Sequence, residues 1–176
     1  FVIGSAAMTA SVGFLADRFG RKQVYLTALV GFWITLLGCA ISSTLGEMVV
    51  WRLLQGVFGA ALLPLGQSIA VSAFPPDRRG QATALWALGF VSSNVVSPAI
   101  AGVIVENFGW DGIFYLPALC TVPVFIASWY LLPTEPRNPR KMDVKGYAAL
   151  IIGVSVMQLM LARGERLDWF ESTEIV

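Results

Sequence analysis

A chain of 176 residues that is 56% hydrophobic and 13% charged is no ordinary soluble domain, where about 25% of residues are charged. At a mean hydropathy of +0.71 it holds more apolar surface than one core of this size can bury, so lipid is its natural solvent. A net charge of +1 leaves no general basic surface, which excludes nucleic acid as a partner.

Six apolar segments approach the length of about 20 residues that a membrane helix needs. The first, Phe1 to Ala16, reads as cut at its start. No charged leader or small-residue cleavage site accompanies it, so no signal peptide is expected. The second runs from Val24 to Ser42. The third, Met48 to Phe74, contains Arg52, and the fourth is Ala82 to Val105. The fifth is Ile113 to Leu132, and the sixth, Tyr147 to Ala162, is the shortest. Barrel strands would alternate polar and apolar residues over about ten positions, and these runs do not. The expected fold is therefore all-α, a polytopic membrane helix bundle. The ending Glu174-Ile175-Val176 carries no stop signal, and the chain is expected to be a fragment.

The connections alternate in charge. Asp17 to Lys22 carries Arg18, Arg21 and Lys22, Pro75 to Gln81 carries Arg78 and Arg79, and Pro133 to Gly146 carries Arg137, Arg140, Lys141 and Lys145. The stretches Ser43 to Glu47 and Glu106 to Gly112 carry no Lys or Arg. The positive-inside rule places the three basic connections in the cytoplasm. Trp110, Trp129 and Tyr130 sit near segment ends, where interfacial aromatics belong. Pro133 to Lys145, with three prolines and a charge run, reads as a linker. Cys39 and Cys120 both lie in apolar runs and read as packing residues. Histidine is absent, which removes the commonest proton relay. No His, Cys and carboxylate cluster suggests a metal, and no phosphate-cradling loop suggests an ATP-driven pump, so no cofactor is expected.

Gly13-Phe14-Leu15-Ala16-Asp17-Arg18-Phe19-Gly20-Arg21-Lys22 is the sharpest string. Asp17 falls at a helix C-terminus, where the dipole disfavours a carboxylate by about 0.3–1 kcal/mol. It needs compensation from Arg18, Arg21 or the N–H groups of another helix. Gly20 suits a left-handed turn, and Gly13 permits close approach of a neighbour. The string resembles motif A of the major facilitator superfamily. The resemblance implies that Asp17, Arg18 and Arg21 gate the cytoplasmic side by holding two transporter halves together.

Arg52-Leu53-Leu54-Gln55-Gly56-Val57-Phe58-Gly59-Ala60-Ala61 is the second motif. An arginine at the bilayer centre costs at least about 2.5–3.5 kcal/mol, so it should face protein or water, or snorkel to the interface. Gln55 lies one turn on. Gly59, Leu63, Gly66 and Ala70 share a slim face able to line a cavity. The string resembles the family's motif B, with Phe58 where Gly is usual, and the resemblance makes Arg52 a participant in proton coupling. No Asp or Glu lies deep in any segment, so the titrating acid is expected on a helix outside this chain.

In the fourth segment Ser93, Asn94, Ser97, Pro98, Ala101 and Gly102 form a small polar stripe, and Pro98 invites a kink. The stripe resembles the exporters' antiporter motif, with only Pro98 and Gly102 matching literally. Past the linker, Asp143-x-x-Gly146, Leu161-x-x-Gly164 and Asp168-Trp169 resemble the extra-helix region of the fourteen-helix drug:proton antiporters of the EmrB/QacA type. The resemblance implies an N-terminal half, helices two to six, over residues 1–132, a cytoplasmic linker over 133–146, and an extra helix and loop over 147–176. It implies proton-coupled efflux of small amphipathic compounds by alternating access, from the bacterial inner membrane. The partners would be the bilayer, a small-molecule substrate, protons and the missing C-terminal half. A nutrient importer of the same fold and a non-transporting scaffold or sensor are the alternatives; a membrane-embedded enzyme would need a polar catalytic cluster at depth, where only Arg52, Gln55, Gln67 and Asn94 stand, and no enzyme is expected.

Overall fold

The computed structural model describes residues 1–133 and 144–164. The described chain is six α-helices: α1 (Val2–Phe19), α2 (Arg21–Ala40), α3 (Leu45–Ser72), α4 (Arg79–Phe108), α5 (Gly112–Leu131) and α6 (Val144–Gly164), with a 3-10 turn at Pro76–Arg78. Among the described residues there is no strand. Four stretches, α2, α3, the run Pro76–Phe108 and α5, are long and apolar enough to cross a membrane. α1, at 18 residues, spans about 27 Å, close to a hydrocarbon core of about 30 Å. Residues 134–143 of the linker predicted over 133–146, and with them Arg137, Arg140, Lys141 and Asp143, lie outside the described residues, as do Asp168 and Trp169.

Each helix end differs from the hydropathy boundary by one to three residues, and most helices run longer than their apolar segment. α2 begins at Arg21 instead of Val24, α3 at Leu45 instead of Met48, and α4 at Arg79 instead of Ala82. The reason is that apolarity marks the hydrocarbon depth, whereas backbone hydrogen bonding continues into the polar interface. The start of α3 shows the local device. Thr44 Oγ1 accepts from the Glu47 N–H at 3.2 Å, and Glu47 Oε2 accepts from the Thr44 N–H at 3.3 Å and the Ser43 N–H at 2.9 Å. This capping box satisfies three backbone donors where the chain re-enters the bundle.

α1 and α2 both pack on α3, and α5 packs on α2. In lipid there is no hydrophobic force between helices, so close backbone approach must supply the attraction. Glycines provide it. Gly4 of α1 lies against the Leu53 carbonyl, and Gly56 of α3 lies against the Phe1 carbonyl and the Ser5 N–H. On the other side, the Phe58 ring fills the notch at Gly31 and the Trp51 ring the notch at Gly38. Two apolar clusters result. One joins Val12, Ala16, Ala28, Ala61 and Leu65, and the other joins Leu36, Cys39, Ala40, Phe114 and Ala118.

α4 is different. Ala82 is its one buried residue among those described, while Leu85, Leu88, Val91, Val95, Ile100 and Val103 are all exposed. Such a face is stable only against lipid or further helices. α6 lies along α1.

Candidate functional site

The predicted gating string is a helix, one glycine and a second helix. Gly20 has φ 91°, the left-handed region that a side chain rarely adopts, and turns α1 directly into α2. Its N–H donates to the Ala16 carbonyl at 2.9 Å, and its carbonyl accepts from the Val24 N–H at 3.2 Å. Asp17 is exposed in the last turn of α1, as its predicted position requires. Among the described residues no ion pair joins Asp17 to Arg18. Arg18 instead lies over the rings of Phe14, at 6.0 Å, and Phe19, at 5.5 Å. Both arrangements lie within reach of a cation–π contact. Gly13 is exposed with open space at its Cβ position, so nothing described approaches it.

Lys22 supplies a contact that sequence reasoning missed. Its Nζ donates to the Leu132 carbonyl at 2.6 Å, at the C-terminal end of α5. A cation there satisfies a carbonyl left without an intrahelical donor and opposes the helix dipole. Around it a cavity of about 220 Å³ is lined by Arg21, Lys22, Ile69, Ser72, Ala73, Leu131, Leu132 and Pro133. The ends of α3 and α5 and the start of α2 therefore meet on one basic face. Arg78 and Asp77, just beyond α3, form an exposed ion pair at 3.8 Å.

Arg52 is half-buried. Its Nη1 donates to Gln55 Oε1 at 3.2 Å, and its guanidinium lies 4.7 Å from the centre of the Phe114 ring on α5. Gln55 is 3% exposed. Arg52 stands seven residues into α3, about 10 Å along the axis from its start. Gly56 forms the α1 contact described above, while a Cβ at Gly59 would stand 3.3 Å from the Phe32 ring and 3.4 Å from the Phe1 ring.

The slim face of α3 is only partly a cavity wall. Gly59 and Leu63 do line a cavity of about 370 Å³ between α1, α3 and α4, with Ser5, Thr9, Gln67 and Trp86. Gly66, within about 20° of Gly59 around the helix, is not among the residues that line this cavity; a Cβ there would stand 3.9 Å from the Tyr25 ring of α2. Gln67, noticed in the sequence only as a polar residue at depth, belongs to the cavity.

The stripe on α4 stays on the surface and is not brought to Arg52. Ser93 Oγ and Asn94 Nδ2 both donate to the Phe90 carbonyl at 2.8 Å, and Ser97, Pro98 and Gly102 are exposed. The two polar side chains are thus satisfied on their own helix, the usual refuge of Ser and Asn in apolar surroundings. Asn94 lies at the middle of the 30-residue α4, near the expected bilayer midplane. Among the described residues no group of His, Cys, Asp and Glu is placed to hold a metal.

Comparison with known proteins fits this architecture. The family model of the Major Facilitator Superfamily matches residues 1–169. The chain is 34% identical over 178 aligned positions to Multidrug export protein EmrB of Escherichia coli (strain K12), covering 100% of this chain and 35% of that protein. Fatty acid resistance protein FarB of Neisseria gonorrhoeae is 35% identical over 182 positions, covering 100% and 35%. Probable multidrug resistance protein EmrY of Escherichia coli (strain K12) is 32% identical over 179, again covering 100% and 35%. The chain thus spans about a third of the length of these relatives. Relatives of this kind, together with four membrane-length helices, mark a multi-pass protein of the bacterial inner membrane. A match over nearly the whole chain, carried by an all-helical bundle with both motif strings at helix ends and contacts, shows that this chain belongs to the Major Facilitator Superfamily.

Proposed function

We propose that the chain is most of the first half of a secondary transporter that exports small amphipathic compounds in exchange for protons. Residues 1–132 hold helices two to six of that half, 133–146 cross the cytoplasmic face, and 147–176 form an extra helix and loop. The names of the relatives, multidrug export and fatty acid resistance, support apolar or amphipathic cargo. The cavity edged by Gly59, Leu63, Trp86, Ser5 and Gln67 fits it chemically, being mostly apolar with few polar anchors.

The observation that carries the reading is Arg52. It is a fixed cation held by a neutral amide and an aromatic face and, among the described residues, by no carboxylate. Arginine stays protonated, so Arg52 tunes a proton site without itself releasing the proton. The titrating acid lies on another helix of the full-length protein, and a nearby cation favours its charged form. In the full-length protein, Arg52→Ala should abolish gradient-driven efflux of a fluorescent amphipathic dye from everted vesicles while leaving part of the dye binding. Arg52→Lys should keep some efflux with a displaced pH dependence. Efflux by Arg52→Ala at the normal rate and pH profile would refute the coupling role.

A further inference from the structure

We propose that Phe114 is the positioning residue of Arg52, an aromatic anchor that sets where the fixed charge stands; this rests on the reading that Arg52 tunes proton coupling. Gln55 takes up one N–H of a guanidinium that has five, and it sits only three residues away on the same helix, so it cannot fix the arginine against α5. Phe114 does so from α5, a separate helix, with its ring centre 4.7 Å from the guanidinium carbon. The ring itself cannot swing away. It is 2% exposed, is packed into the cluster of Leu36, Cys39, Ala40 and Ala118, and meets the ring of Trp110 edge-on at 5.5 Å and 87°.

The choice of an aromatic has a chemical consequence. A carboxylate in this place would neutralise Arg52 and compete with the proton site for its charge. The negative face of a ring attracts the cation but takes no proton, so the charge remains available to a distant acid. The other charged and titratable groups on the surrounding elements do not replace it. Glu47 of α3 is exposed and spends its carboxylate on the capping box. Asp111 at the head of α5 is exposed, α2 presents the buried thiol of Cys39, and the first turns of α1 carry no charged side chain.

The test uses the full-length protein with phenylalanine at position 114 replaced by its mono-, di- and trifluorinated forms, which keep the ring's shape while draining its negative face. Export of an amphipathic dye is measured against pH. A weaker ring holds Arg52 less firmly, so the pH midpoint should move stepwise with fluorination, by about half to one unit over the series. Phe114→Leu should move it as far as the trifluorinated ring, and Phe114→Tyr should restore it. A midpoint that ignores fluorination overturns the anchor. Arg52→Ala is run alongside. If it exports normally, the coupling role itself is wrong, whereas loss of coupling in Arg52→Ala with an unmoved fluorination series refutes the anchor alone.

Discussion

Asp17 carries an exposed negative charge at the end of a helix whose own dipole repels it. A group in that condition stabilises whichever conformation brings it donors. In the full-length protein, Asp17→Asn should therefore leave expression intact and slow dye export roughly fivefold or more, the scale of a typical coupling energy between states. Cytoplasmic accessibility of the neighbouring helix ends should change with it. Wild-type export and wild-type accessibility would reduce Asp17 to a surface charge. The residue scale also shows what a sequence can and cannot disclose. Asp17, Gly20, Arg52 and Gln55 were legible because each is an unusual residue for its depth or backbone angle. The partners were not legible. Lys22 bonds to a backbone carbonyl, and every residue carries one, so no letter in the sequence marks Leu132 as the acceptor. Phe114 is one of 11 phenylalanines, and only the α3–α5 geometry selects it.

At the scale of elements, six helices were visible because each keeps an apolar run near the length of a bilayer. Their ends were placed one to three residues off, since hydropathy reports depth and not backbone geometry. The pairing of the helices was only partly visible, because a glycine in a membrane helix signals close approach without naming the neighbour. Gly31 and Phe58 are such a pair. Phe58 stands where the motif normally has glycine, and Gly31 opposite supplies the missing space. Gly31→Ala should destabilise the full-length protein by about 1–3 kcal/mol, as overpacking does. Gly31→Ala combined with Phe58→Leu should cost less than the two changes added, with a coupling above about 0.5 kcal/mol. Thermal unfolding in detergent across the four variants measures it, and strict additivity would mean that the ring and the notch are independent. Gly13, by contrast, has open space around it and gives no clue to its neighbour within the described helices.

For the whole molecule, Arg21 and Lys22 at the start of α2 share a cavity with the ends of α3 and α5, and Arg78 follows just beyond α3. Single cysteines at positions 18 and 78, in a background lacking Cys39 and Cys120, should resist an impermeant thiol reagent in intact cells, while position 111 should react. Labelling at 78 from outside would reverse the orientation. The exposed face of α4, bare along its length, requires cover from lipid or from other helices of the longer protein. One contact on the basic face also has a timetable. Lys22 and Leu132 are 110 residues apart, so the lysine leaves the ribosome well before its acceptor exists. At about 5–20 residues per second that wait is roughly 6 to 20 seconds. Until α5 is complete, the Lys22 amine has no helix end to hold. Its bond to Leu132 therefore closes only after the five helices have been made, and it records that the set is finished. Chains arrested short of α5 should accept an amine-reactive label at Lys22, and chains released past it should be protected.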